Sequence, residues 1–116
     1  MNRLRAALLK GTTPGLVLAL LAEQPLHGYD LAREIAVRSA GALAPGQGTL
    51  YPLLHRLERQ GLLIGAWEAR QSGPERRVYR LTAEGHTALA ACRDEWAIFV
   101  RVIGRFLPPQ PAAEMS

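Results

Sequence analysis

The fold of this chain is decided by a short segment with two contrasting faces, Gly48-Thr49-Leu50-Tyr51-Pro52-Leu53-Leu54-His55-Arg56-Leu57-Glu58-Arg59-Gln60-Gly61. Its four leucines recur at the spacing of one helical stripe. The opposite face carries aromatic, polar and cationic groups, the types that contact base edges and phosphates in DNA. We expect Pro52 in the first turn and Gly61 at a left-handed C-cap, so the segment predicts a helix over residues 48–59.

Two segments suited to β-strands follow this helix, with a turn between them. Residues 62–70 contain Leu, Ile and Trp, residues 71–75 form a Gln-Ser-Gly-Pro-Glu turn cluster, and residues 76–81 place polar residues among apolar ones. The pattern predicts a hairpin with a charged tip, and we expect Trp67 to pack on the domain core. A helix-turn-helix followed by such a hairpin is a winged-helix domain.

The segments before this unit predict further helices. Residues 2–10 are expected to form a short amphipathic helix. A second helix is expected to begin at Thr12 or Thr13, with Pro14 in its first position, and to end near Ala22. Residues 28–39 predict a third helix, and a loop over residues 40–46 connects it to the helix quoted above.

The last helix is expected to start at the N-cap Thr82 and to run toward Leu107. Alternating steps of three and four residues mark an apolar seam on it, formed by Leu89, Cys92, Trp96, Phe99, Ile103 and Phe106. Apolar residues on its other sides predict burial on two sides, one against its own domain and one against a second copy. The alternative is a core helix of a monomer.

Together these elements predict a mainly α protein with a small β-hairpin. A winged helix-turn-helix DNA-binding domain is expected over residues 1–81, a C-terminal dimerisation helix over residues 82–107, and a disordered tail over residues 108–116. Trp96 has two candidate roles: an anchor in the dimer core, or, with its symmetry mate, one wall of a cleft for a planar aromatic or cationic effector.

Charge and composition narrow the function. The net charge is +4, and the excess of basic residues lies in residues 1–10 and 41–80. Such a concentration suits DNA binding, although ordinary solvated surface is an equal alternative on charge alone. The three histidines and the single Cys92 have no partners at the spacing of a catalytic triad or metal site, so we expect no enzyme, metal or cofactor.

The single cysteine also excludes an internal disulfide and weakly favours a reducing compartment, hence a cytoplasmic protein. A disulfide between Cys92 and its mate in a second copy is the remaining redox alternative. No run of 18 apolar residues is present, so no membrane partner is expected. The apolar segment after the basic N-terminus resembles a signal peptide only superficially.

Three separated motifs resemble the PadR-like transcriptional regulators: residues 21–31 (LAEQPLHGYDL), residues 48–58 (GTLYPLLHRLE) and residues 79–85 (YRLTAEG). The resemblance covers about residues 10–90, and the single C-terminal helix matches the short-tailed members. It implies a winged-helix repressor that binds operator DNA as a homodimer. Gly46-Gln47 precedes the second motif, where many relatives carry Ser or another small residue, and this departure can alter base preference.

The resemblance and the pattern together give a set of candidate DNA-binding residues: Tyr29, Gln47, Gly48, Thr49, Tyr51, Pro52, His55, Arg56, Arg59, Arg70, Arg76 and Arg77. The helix is expected to enter the major groove of double-stranded DNA, with the wing arginines on an adjacent groove or backbone. The alternative function is a winged-helix protein–protein interaction module without specific DNA binding.

Overall fold

The computed structural model describes residues 3–110 and contains four helices and a three-stranded antiparallel sheet among them. In chain order the elements are α1 (Arg3–Glu23), β1 (Leu26–His27), α2 (Gly28–Arg38), α3 (Gln47–Arg59), β2 (Leu63–Glu68), β3 (Arg76–Leu81) and α4 (Ala83–Ile103). The mainly α winged-helix architecture predicted from the sequence is therefore confirmed.

One continuous helix, α1, replaces the two helices predicted before residue 23. Pro14 lies inside it, although its ring and missing N–H remove one backbone hydrogen bond. The predicted caps Thr12 and Thr13 are helical instead, and their hydroxyls donate to the carbonyls of Leu8 and Leu9 in the preceding turn, at 2.8 and 2.6 Å. These threonines bond backward rather than forward, so neither of them caps a second helix, and the predicted break was wrong.

Helix α3 has the predicted face and the predicted end. After the C-cap Gln60, Gly61 takes the left-handed conformation with φ of 79°, and the amide of Leu62 donates to the carbonyl of Leu57 at 3.0 Å. The start differs, because the helix begins at Gln47 and so places Pro52 in its second turn rather than its first. The carbonyl at Gly48, on the exposed side, therefore lacks its helical donor.

The hairpin pairs β2 with β3 in the register Leu63↔Leu81 to Glu68↔Arg76. Sequence analysis missed β1, which pairs with the other edge of β3 and makes β3 the central strand. Two residues are too few to show a strand period. Because α2 begins directly after β1, the pairing of β1 with β3 connects the start of α2 to the wing.

Helix α4 begins as predicted, with the Thr82 hydroxyl accepting from the Gly85 amide at 3.0 Å. It ends at Ile103, four residues before the predicted end, and hydrogen-bonded turns continue to Leu107. Gly104 and the coming Pro108 account for the early end. Residues 108–110 of the predicted disordered tail are exposed and irregular, and residues 111–116 lie outside the described part.

The core joins α1, α2, α3 and the sheet around buried leucines, with Tyr79 the largest fully buried side chain. Helix α1 is long and apolar enough to cross a membrane by length and composition, a test that core helices also pass. Val17, Leu18 and Leu21 on it are buried against the other elements. Packing in the core therefore explains the apolar residues in this part of α1.

Candidate nucleic-acid interface

Helix α3 separates an inner and an outer face as predicted. Its four leucines are buried in the core. The outer face leaves seven candidate DNA-binding residues exposed to solvent: Gln47, Gly48, Thr49, Pro52, His55, Arg56 and Arg59. Gly46 caps the helix without a side-chain hydrogen bond, and its carbonyl accepts from the N–H groups of Thr49 and Leu50 at 3.1 and 2.9 Å. Within the described residues, the N–H groups of Gln47 and Gly48 are thus left to bind an anion.

Tyr51, the eighth candidate on α3, is half-buried rather than exposed. Its ring lies over Gly28 at the start of α2, so closely that a Cβ on Gly28 would be 2.6 Å from the ring. Glycine is therefore needed for close approach at this position. Tyr29 next to it is 56% exposed, and its ring stacks on that of His27 with centroids 6.4 Å apart.

The two consecutive wing arginines have different environments. Arg76 is exposed and lies 2.9 Å from Nε2 of His27. Arg77 is half-buried, and its Nη2 donates to Oε2 of Glu58 on α3 at 2.6 Å. This hydrogen bond raises the pKa of the Arg77 guanidinium, which keeps it charged at every relevant pH. Arg77, predicted to reach DNA, is thus engaged within the protein.

Trp67 does not pack on the core as predicted and is 62% exposed. It faces Arg77 across the hairpin, and the guanidinium carbon lies 5.7 Å from the indole centroid. The same carbon lies 5.9 Å from the ring of Tyr79, whose pKa is raised by burial. A cation on one indole face explains how the ring tolerates exposure to water.

The His27 imidazole lies between opposite charges. Its Nε2 is 2.8 Å from Oδ2 of Asp30 and 2.9 Å from Nη1 of Arg76. A neutral ring satisfies one of these at a time, since Nε2 either donates to Asp30 or accepts from Arg76. Desolvation by burial lowers the pKa of His27, as do nearby cations, against the opposing effect of Asp30. The neutral form is therefore favoured near pH 7.

Four of the candidate arginines make no ion pair within residues 3–110: Arg56 and Arg59 on α3, and Arg70 and Arg76 at the wing. All four are exposed. Arg80, by contrast, pairs with Glu68 inside the hairpin at 2.9 Å. Uncompensated positive charge therefore lies on the outer face of α3 and at the tip of the wing.

The seam predicted on α4 divides into two parts. Leu89 lies in the core of its own chain, so its assignment to a dimer interface was wrong; it sits where α4 still packs on the domain. Cys92 is half-buried against Gly15 of α1. The rest of the seam is exposed in the single chain, namely Trp96, Phe99, Ile103 and Phe106.

A groove of about 640 Å³ runs between α1 and α4 beside these residues. Its walls are mainly apolar and include Leu8, Leu16, Cys92, Trp96 and Phe99. The rings of Trp96 and Phe99 stack with centroids 5.8 Å apart. Exposed apolar surface of this kind is typical of interaction sites.

Comparison with known proteins identifies this arrangement. Residues 17–91 match the Transcriptional regulator PadR-like family. The chain belongs to the PadR-like family. The transcriptional regulator Rv3488 of Mycobacterium tuberculosis is 42% identical over 77 residues, which is 66% of this chain and 68% of the relative. PadR-like proteins are transcriptional regulators that bind DNA, and the chain is a regulator rather than an enzyme.

Solved structures agree with this assignment. A PadR family transcriptional regulator from Eggerthella lenta superposes with a TM-score of 0.79 at 35% identity, covering 90% of this chain and 89% of that one. A transcriptional regulator from Clostridium thermocellum gives a TM-score of 0.80 at 26% identity, covering 86% and 97%.

The sequence did not predict the roles of three residues at the interface. Gly28 lies under the ring of Tyr51, His27 contacts Arg76, and Glu58 pairs with Arg77. Gly28 had a signal, because it lies in a motif that resembles the family. His27 and Glu58 also lie in such motifs, but the sequence gives no sign of their partners, since both contacts join residues far apart in the chain.

Proposed function

We propose that this PadR-like protein is a sequence-specific regulator that binds an inverted-repeat operator as a homodimer and represses transcription. The observation that carries the proposal is the outer face of α3, where polar and cationic side chains surround a helix start with free N–H groups. Repression is the mode implied by the family resemblance. A regulator of this kind acts in the cytoplasm.

In the proposed complex α3 lies in the major groove with its N-terminal end toward the bases. Gln47, Thr49, His55 and Arg56 are exposed and read base edges. Gly48 and Pro52 allow close approach of the helix backbone to the DNA. Tyr51, held on Gly28, contributes its outer edge.

Phosphate contacts surround this readout. The exposed ring of Tyr29 presents a hydroxyl, and Arg59 lies at the far end of α3. Arg70 and Arg76 in the wing are exposed and reach an adjacent groove or backbone. Because these contacts are charge pairs, affinity should weaken steeply with salt.

The second copy is proposed to bind along α4. Trp96 and Phe99 are 53% and 51% exposed, and Leu4 and Leu8 on α1 extend the same apolar surface. A second copy would cover this surface around a two-fold axis, with Ile103 and Phe106 near the ends of the contact. Two α3 helices about 34–36 Å apart would then match half-sites one helical turn apart, hence an inverted repeat.

A small planar aromatic effector is the proposed ligand of this interface. The groove between α1 and α4 has room for one, and Trp96 offers a flat face beside it. The test uses a Trp67→Phe variant, so that emission comes from Trp96 alone. Quenching by planar cationic dyes would support the effector, whereas unchanged emission across a dye panel would leave Trp96 as a dimer anchor only.

The proposed function is tested by titrating DNA from upstream of the protein's own gene, followed by anisotropy. We expect saturable binding that survives an excess of random DNA, with two protomers per site. A triple variant, Arg56→Gln/Arg59→Gln/Arg76→Gln, should lose it, and Arg101→Gln, an exposed arginine of α4 outside the groove, is a control that should keep it. Absence of binding at low salt would favour a protein-interaction module instead.

A further inference from the structure

One carboxylate oxygen of Glu58, on α3, connects this helix to both strands of the wing, β2 and β3. Oε2 of Glu58 accepts from Arg77 Nη2 on β3 at 2.6 Å and from the backbone N–H of Gly65 on β2 at 3.2 Å. Both wing strands are therefore hydrogen-bonded to the same α3 side chain. The side chains of Arg77 and Glu58 are 28% and 26% exposed, so water screens this pair less than a surface pair.

The Arg77 side chain has further neighbours besides Glu58. Trp67 and Tyr79 lie within 6 Å of its guanidinium carbon, at 5.7 and 5.9 Å. Opposite it, Gly65 has no side chain, and a Cβ there would be 2.6 Å from Nε of Arg77. A guanidinium held in this way is poorly placed to turn toward a phosphate.

The neighbouring ion pair in the hairpin behaves differently. Arg80 and Glu68 are both about half exposed, at 50% and 44%, and both belong to the wing strands. That pair connects strand to strand, whereas Glu58–Arg77 connects the wing to α3. The two pairs are matched in charge and differ in what they join.

We propose that Glu58 and Arg77 are positioning residues for DNA binding, which fix the angle between the wing and α3. This inference rests on the proposed function, because it concerns how the two DNA-contacting elements are held. Arg77 thereby acts through Glu58 rather than through a phosphate. Arg76, on the opposite side of the strand, remains the wing arginine that contacts DNA.

A purely electrostatic role of Glu58 and a positioning role predict opposite effects of the same substitution on DNA affinity. Glu58 places a negative charge on the helix proposed to enter the groove, so removing that charge should by itself tighten DNA binding. If the carboxylate positions the wing, the same removal should weaken binding. Glu58→Gln keeps the size of the side chain and removes only the charge, which makes it the decisive variant.

The experiment measures operator affinity and its salt dependence for the wild type, Glu58→Gln, Arg77→Gln and the double variant, with Glu68→Gln as the control. We expect about five- to tenfold weaker binding for Glu58→Gln, from the loss of a partly screened charge-assisted hydrogen bond. The double variant should be no weaker than either single one, since both remove the same connection. Glu68→Gln should bind at least as tightly as the wild type.

The salt dependence separates positioning from contact. Loss of one phosphate contact lowers the steepness of log K against log salt by about 0.9. We expect Arg77→Gln to keep the wild-type slope. Equal or tighter binding by Glu58→Gln, or a lower slope for Arg77→Gln, would overturn the proposal and make Arg77 a DNA contact.

A readout without DNA keeps this test independent of the proposed function. The Gly65 amide should exchange its hydrogen faster in Glu58→Ala, which removes the acceptor oxygen, than in the wild type, while the amide of Leu50 near the start of α3 should be unchanged. If the Gly65 amide exchanges faster in the variant but the wild-type protein binds no operator, the connection between the wing and α3 is supported and the proposed function is rejected. Unchanged exchange at Gly65 would reject the connection itself.

Discussion

Replacing Gly28 by Ala should displace the ring of Tyr51 and destabilise the protein. A Cβ at this position would be 2.6 Å from one ring carbon and 2.8 Å from the hydroxyl oxygen. Carbon atoms in contact prefer about 3.5–4.0 Å, so the ring must shift by about 1 Å. It cannot do so freely, because Tyr51 is half-buried against the core between α2 and α3.

The size of the effect follows from two opposing contributions. Overpacking of this kind costs about 1–3 kcal/mol. Alanine at a helical position recovers at most about 1 kcal/mol over glycine, and less at the first residue of a helix. The net result should be a loss of about 1–2 kcal/mol in the free energy of unfolding, measured by urea denaturation with an unchanged slope.

Two variants control this prediction. Gly11, inside α1, has open space where a Cβ would be, so Gly11→Ala should gain up to about 1 kcal/mol. Adding Tyr51→Ala to Gly28→Ala should cost less than the sum of the two single changes, because the clash is gone. A Gly28→Ala protein as stable as the wild type, or stabilised like Gly11→Ala, would refute the close approach.

Further predictions concern the start of α4 and the imidazole beside the wing. Thr82→Ala should cost about 1–2 kcal/mol in urea denaturation, because the Thr82 hydroxyl both caps Gly85 and donates to the carbonyl of Gly61; Thr87→Ala on the exposed face of α4 is the control and should change little. The pKa of His27 is lowered in the folded protein, so the unfolded state binds more protons around its ordinary value of about 6.5. Stability from this source is present above that pH and lost as pH falls below it, and His27→Gln should flatten the decline measured between about pH 7.5 and 5.5. A variant that declines as steeply as the wild type would contradict the assignment to His27.

Local signals account for the parts of the fold that were predicted correctly. The leucine stripe of α3, the left-handed Gly61 and the Thr82 cap are each fixed by residues within one or two turns. Their physical causes are contained in a short window of sequence. The charge on the outer face of α3 followed from the same helical period.

The errors share a different cause. Pro14 suggests a helix start, but packing of Val17 and Leu21 in the core keeps α1 continuous through it. The strand β1 exists because β3 offers it an edge, which no local pattern can reveal. Leu89 shares the seam spacing with Trp96, and only the tertiary packing of α4 decides that Leu89 faces the chain's own core.

The candidate interface was predicted residue by residue but not in its internal connections. Exposure separates Arg76 from Arg77, although the two are adjacent and chemically identical. The difference comes from Glu58, 19 residues earlier on α3. The sequence spacing of Glu58 and Arg77 gives no reason to pair them, and only the folded structure shows that they are close.

The salt dependence of operator binding tests whether the exposed arginines of α3 and the wing contact DNA phosphates. Arg56, Arg59, Arg70 and Arg76 in each of two protomers would neutralise about eight phosphates, which predicts a slope of log K against log salt of about −7. We expect a slope near this value, together with preference for the operator over random DNA that persists at high salt. A slope near zero, or equal affinity for the operator and random DNA at every salt concentration, would contradict it.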